Sequence, residues 1–435
     1  MSEKDQNGID NPARRLEGAG PVRLPRLAGY PGRNRSGPDM TDAMSETRGE
    51  GFFEFDEGYF GDPGAAQERL RGAGAIHRGV LPSGEPAWLV VGYEQVRAAL
   101  TDPRLSLDKR HAGAGYTGLS LPGALDRNLL SLDGDDHARL RRLALPAFTA
   151  EAVAPLEPQV RATARELFEA LAAAGGGDLI GGFAAPLARD TLRVLLGVPD
   201  GRGEEFVGHV ATLISAATGP EQQRAAGGAL LRIAGELVEA KRRLPGADLI
   251  SVLVNARDGE DRLTEDELLS LVFLLVIAGY ETTTALIGTS VLALLGPASN
   301  GETGDKPATS ARLIERALRE NAPGPWSIRR FATCDLMVAD TLVRAGETVL
   351  LGLASANADP AAPSERHLSF GHGAHYCLGA PLARLQAGIA LETVAAERAR
   401  IRLVDDADAA PRWLRSIRVR ALEALPVTVL PETVR

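Results

Sequence analysis

Cys377 stands in the run Phe370-Gly371-His372-Gly373-Ala374-His375-Tyr376-Cys377-Leu378-Gly379-Ala380, a glycine-punctuated turn leading into a helix-forming stretch at 382–398. A sulfur so placed meets unpaired backbone N–H groups and the positive end of a helix dipole. Both lower a thiol pKa and make the thiolate a competent metal ligand. The bland alternative is a buried structural thiol. A second group of reactive types lies in Ala278-Gly279-Tyr280-Glu281-Thr282-Thr283, inside an otherwise apolar stretch; Gly279, Glu281 and three consecutive threonines are poor choices for a helix selected only to pack. In His137-Ala138-Arg139-Leu140-Arg141, His137 and Arg141 are four apart and so share one face of a helix.

The elements that must position these residues are mostly helical. Periodicity predicts helices at 136–148, 156–174 and 185–196, a Gly/Ala-rich helical pair at 203–243, and a helix at 311–321. Thr264-Glu265-Asp266-Glu267 is a capping box that opens a helix over 265–295, apolar on nearly all faces and therefore central. Trp88 to Val91 reads as a strand, followed by a short helix from Tyr93 to Leu100, with further strands around 328–350. Residues 104–130 read as a long loop and 296–310 as a polar connector.

The 435 residues are 44% hydrophobic and 5% aromatic, enough for a large core filled by aliphatic side chains. A net charge of -9 argues against a nucleic-acid or anionic-membrane binder. Two distant cysteines point to a reducing cytoplasm. The first 45 or so residues lack an apolar core for a signal peptide or anchor and read as a disordered tail, and the apolar segment 268–278 is too short to span a bilayer.

The three motifs, in this order, resemble the bacterial cytochrome P450 family from about residue 50 to the C-terminus. The resemblance implies a mainly α, P450 fold: a single large helical domain with small β-sheets over 49–435, after a tail over 1–48. It also implies haem b, with Cys377 as proximal iron ligand, Phe370 shielding the sulfur, Gly371 and Gly373 turning the loop, and Gly379 letting the next helix approach closely. His137, Arg141, His375 and, on the strand after 328, Arg330 are implied as partners of the two haem propionates. Ala278 is implied among the haem-binding residues, and Glu281 and Thr282, on a helix loosened by Gly279, as the proton relay for oxygen activation. The alternative is that Thr282 bonds back to a helix carbonyl and Glu281 pairs elsewhere.

Two departures stand out. The family's Glu-x-x-Arg, aligned on Arg319, has Arg316 where Glu is expected; Glu315, at i,i+4 from Arg319, could pair with it. The family's longer meander with its Arg is reduced to 361–365, and Arg366 abuts the ligand loop. Both fall on the proximal side, so haem binding is still expected.

The leading function is a haem monooxygenase that inserts one atom of O2 into an apolar secondary-metabolite-type substrate by hydroxylation or epoxidation. As a cytoplasmic monomer, it would draw electrons from a ferredoxin and ferredoxin reductase, with Arg139, Arg142, Arg366 and Arg384 as a candidate docking patch. The competing function is a P450-fold partner that stabilises another biosynthetic enzyme such as a glycosyltransferase. The altered Glu-x-x-Arg and the short meander favour the partner role, while Cys377, His375, Arg141, Glu281 and Thr282 oppose it.

Overall fold

The computed structural model describes residues 52–113, 116, 127–199, 202–214, 218–246, 248–257, 262–296, 307–405 and 411–431. The tail expected over 1–48 lies outside the described residues, as do 114–115 and 117–126 of the expected loop and 297–306 of the connector. What is described of the loop is partly ordered, with a strand at Leu105–Ser106 and a short helical turn at Lys109–His111.

Eleven helices of eight or more residues carry the architecture among the described residues: α1 (Pro63–Ala73), α2 (Tyr93–Thr101), α3 (Gly134–Ala144), α4 (Glu157–Ala173), α5 (Ala185–Leu196), α6 (Gly203–Ile214), α7 (Pro220–Arg243), α8 (Leu249–Arg257), α9 (Glu265–Leu295), α10 (Pro307–Glu320) and α11 (Ala380–Ala396). The helix expected at 136–148 ends sooner, because Pro146 leads its last turn into a 3-10 segment, Leu145–Phe148. In α10, Pro307 supplies the first helical residue and absorbs the end of the connector.

The central helix α9 begins as its sequence requires. The Thr264 hydroxyl accepts from the Glu267 amide at 3.3 Å, and the Glu267 carboxylate accepts from the Thr264 amide at 2.8 Å. At 31 residues α9 is long and apolar enough to cross a membrane, which corrects the expectation drawn from 268–278 alone. It is instead a core helix in contact with α5, α7, α10 and α11. Leu268, Leu271, Val272, Ile287, Val291 and Leu294 on it are all at most 1% exposed, and each such burial contributes about 2 kcal/mol.

Gly279 has a different role from the one expected. The helix runs unbroken through it, and a Cβ there would stand 2.9 Å from Leu192 Cδ2. Its missing side chain lets α5 approach α9; it does not loosen the helix.

Six strands form the main sheet: β1 (Phe53–Glu54), β2 (Ile76–Val80), β3 (Pro86–Val90), β4 (Leu105–Ser106), β5 (Arg330–Ala332) and β6 (Thr348–Leu351), in the order β1-β2-β3-β6-β5-β4. Leu105 pairs with Ala332, and Arg330 with Val349. This register sets Arg330 beside the chain leading from β4 to α3. Small two- and three-stranded sheets complete the fold, one of them the hairpin of Arg412–Trp413 with Leu422–Ala424.

Candidate active site

The ligand loop is shaped by glycine. Gly371 and Gly373 have φ of 73° and 74°, a region L side chains rarely adopt. At Gly373 a Cβ would also meet Thr101 Cγ2 at 2.7 Å. The turn closes where the Cys377 amide donates to the Phe370 carbonyl at 2.8 Å. The amides of Gly379 and Ala380, at the start of α11, donate toward the Cys377 sulfur. Part of the residue faces solvent, yet the thiol sits among closely placed protein atoms. Burial pushes its pKa up; the two amides, Arg141 and Arg384 pull it down without reversing the sign. This corrects the expectation of a lowered pKa, since the desolvation of a thiolate outweighs the amides that favour it.

Gly379 does not need its backbone freedom. Its φ is -81°, open to any residue, and nothing in the protein lies within 4 Å of a Cβ built there. The missing side chain leaves open space beside Cys377.

Above the loop, α3 and β5 supply a cluster of imidazole and guanidinium groups. The rings of His137 and His375 are 3.9 Å apart. His137 Nε2, His375 Nδ1 and Arg330 Nε are buried and lack a hydrogen-bond partner among the described residues. Arg330 is 4% exposed and donates once, to the Leu105 carbonyl at 3.1 Å. Its neighbour Arg329 turns away, to Glu85 at 3.2 Å. Arg141 donates to the Tyr376 carbonyl at 2.7 Å. Burial lowers the His137 pKa to about 4, helped by the charges of His375 and Arg141.

Sequence reasoning missed Asp133, which organises this cluster. It occupies the N-cap position of α3 without capping it. One carboxylate oxygen accepts from His375 Nε2 at 3.0 Å; the other accepts from the Ser106 hydroxyl at 2.6 Å and the Leu107 amide at 2.7 Å. The acid-rich run Asp133-Gly134-Asp135-Asp136 was the available signal, but it reads equally well as an ordinary helix start.

On α9, Ala278 and Thr282 are exposed, on one face a turn apart. The Thr282 hydroxyl donates to the Ala278 carbonyl at 2.7 Å, and Glu281 is paired with Arg418 of the C-terminal hairpin at 3.2 Å. Both contacts correspond to the alternative weighed for these residues. Burial raises the Glu281 pKa and Arg418 opposes it.

The proximal scaffold is rewired. Glu315 does not pair with Arg319. It accepts from Arg384 at 2.6 and 3.1 Å and contacts His367 Nε2 at 2.9 Å. Arg316 pairs with Glu320 along the helix, and Arg319 Nε is buried without a partner among the described residues. Two arginines of the candidate docking patch are paired within the protein. Arg384 is held by Glu315, Arg139 is held by Glu267 at 3.0 Å, and Arg366 is exposed.

The donor set fits an iron tetrapyrrole bearing two carboxylates. A cysteine sulfur with open space beside Gly379 could take the metal, and three orphaned N–H or imidazole nitrogens on α3, β5 and the loop could take the anions.

No protein-family model matches the chain. Individual proteins do. The chain is 35% identical over 394 residues to "Cytochrome P450 107B1" of Saccharopolyspora erythraea, covering 86% of this chain and 96% of that protein. It is 36% identical over 368 residues to "Mycinamicin IV hydroxylase/epoxidase" of Micromonospora griseorubida, covering 80% and 90%. Its fold superposes on the ligand-free P450 monooxygenase TamI with a TM-score of 0.78 at 37% identity, covering 89% and 96%.

Proposed function

The chain belongs to the bacterial cytochrome P450 family and is a haem b monooxygenase, and on this footing we propose how its residues divide the work. Cys377 holds the iron. His137, Arg141, Arg330 and His375 receive the propionates, and Ala278, Phe370, Gly371 and Gly379 bound the ring. Haem, when bound, supplies the activation of dioxygen and the transfer of one oxygen atom to a C–H or C=C bond.

The protein's own part is to place charges and protons. Asp133 fixes the His375 ring so that its Nδ1 stays available to an anion. Glu281, whose pKa burial raises, keeps its proton further into the working pH range than an ordinary carboxyl. It is the proton source, and the Thr282 hydroxyl passes the proton on after leaving the Ala278 carbonyl.

The substrate is a small apolar molecule of the secondary-metabolite type, hydroxylated or epoxidised, in keeping with the relative named mycinamicin IV hydroxylase/epoxidase. Electrons come from a ferredoxin and its reductase. The protein acts as a cytoplasmic monomer with one catalytic domain over 49–435, after a tail over 1–48.

The observation that carries this reading is the convergence of three orphaned nitrogens beside the cysteine loop. The test is the reduced, carbon-monoxide-bound spectrum of the purified, haem-supplemented protein. A thiolate-characteristic band that disappears in Cys377→Ala is expected. Colourless protein after supplementation would replace this reading with the partner role.

A further inference from the structure

We propose that Glu315 is a positioning residue for the Cys377 loop, joining His367 and Arg384 into a clamp that takes over from the altered Glu-x-x-Arg network. The inference rests on Cys377 being the iron ligand.

The clamp ties three segments together: α10 through Glu315, the chain entering the ligand loop through His367, and α11 through Arg384. Glu315 receives two bonds from the Arg384 guanidinium, 2.6 and 3.1 Å. Such a two-point contact sets orientation as well as distance. The guanidinium lies over the Phe370 ring, 4.6 Å from its centroid. The carbonyl of Phe370 is the acceptor for the Cys377 amide at 2.8 Å. Glu315 is thus linked by two side chains and one backbone bond to the residue that bears the sulfur.

The second arm holds the loop's entry. His367 Nδ1 accepts from the Ser369 amide at 3.2 Å, which leaves Nε2 as the N–H that donates to Glu315 at 2.9 Å. The His367 side chain is 6% exposed, so this bond is well sheltered. Beside it the Ser369 hydroxyl donates to the Leu318 carbonyl at 2.6 Å, a second tie from the same entry to α10. Partial burial raises the Glu315 pKa, and the bonds from His367 and Arg384 overcome it and hold the carboxyl down to about 2.

Position along the helix separates Glu315 from its neighbour. Arg316, which occupies the altered motif position, points to Glu320. Glu315 and Arg384 also line a groove of about 370 Å³ between α4, α10 and α11. Water reaches one side of the pair and weakens its net attraction, so the clamp's value lies in fixing the loop's geometry more than in global stability.

The test uses the haem-loaded full chain and three variants. Glu315→Gln keeps the volume and removes the charge. Arg384→Lys keeps the charge and removes the two-point contact and the plane over Phe370. Arg316→Ala is the control. Glu315→Gln and Arg384→Lys should retain haem, shift part of the reduced carbon-monoxide band from the thiolate to the thiol form, and lose haem about tenfold faster; Arg316→Ala should match the native protein. A native band and native haem-loss rate in either clamp variant overturns the inference. Failure of Glu315→Gln to fold while Arg384→Lys is native overturns it too, since Glu315 would then serve packing only. Cys377→Ala separates the two levels: if it keeps the thiolate band, the ligand assignment itself has failed.

Discussion

His137 and His375 face each other across 3.9 Å with their ring planes tilted by 38°. They come from α3 and from the cysteine loop, far apart in sequence, and Asp133 grips the second by its Nε2. Burial and the neighbouring charges hold the His137 pKa down to about 4, so this imidazole faces the loop as a neutral, hydrogen-bonding ring.

A pH dependence follows for the haem-free protein. The His137 pKa falls from 6.5 to about 4 on folding. Between those values the unfolded chain takes up the proton that the folded chain refuses. Stability from this group is therefore fully present above pH 6.5 and drains away as pH falls toward 4. Urea unfolding should show a loss of up to about 3 kcal/mol across that window, and His137→Phe should flatten it. An unchanged slope in the variant would refute the assignment.

Asp133→Asn should loosen the imidazole–guanidinium cluster. The change replaces a carboxylate acceptor of charge-assisted bonds with an amide that offers one oxygen to donors on two sides. A destabilisation of about 2 kcal/mol is expected, together with weaker haem retention. Denaturant melts and haem transfer to an acceptor protein measure the two effects separately.

Two glycine substitutions should behave oppositely in the haem-free protein. Gly373→Ala meets both a left-handed φ of 74° and Thr101 Cγ2 at 2.7 Å, at a cost of about 1–3 kcal/mol. Gly379→Ala meets no protein atom within 4 Å and should leave the melting temperature unchanged. Its effect should appear only as reduced haem occupancy. Normal occupancy in Gly379→Ala would show that the open space is not where the ring lies.

Glu281→Gln should slow turnover by about a hundredfold or more while leaving the reduced carbon-monoxide band in place. Arg418→Gln tests the pairing. Arg418 lowers a Glu281 pKa that burial has raised, so its removal must raise that pKa further. The limb of the pH–rate profile belonging to this carboxyl should move to higher pH. A shift to lower pH would exclude Glu281 as the titrating group.

The elements and the loop were legible because their signals are local. The capping box at Thr264 and Glu267, the apolar stretch of α9 and the glycines before Cys377 depend on neighbours within a turn. So does the spacing that puts His137 and Arg141 on one face of α3.

What only the tertiary structure decided was which charge meets which and how much water each group keeps. Glu281 finds Arg418 across 137 positions, and Glu315 finds Arg384 across 69, bypassing Arg319 four residues away. Gly279 is small because Leu192 packs against it. The Cys377 thiol is pushed up rather than down because the amides beside it were readable in the sequence and the burial around it was not. Coulomb attraction, steric contact and desolvation all depend on distance through space, and the linear order of residues does not carry that distance.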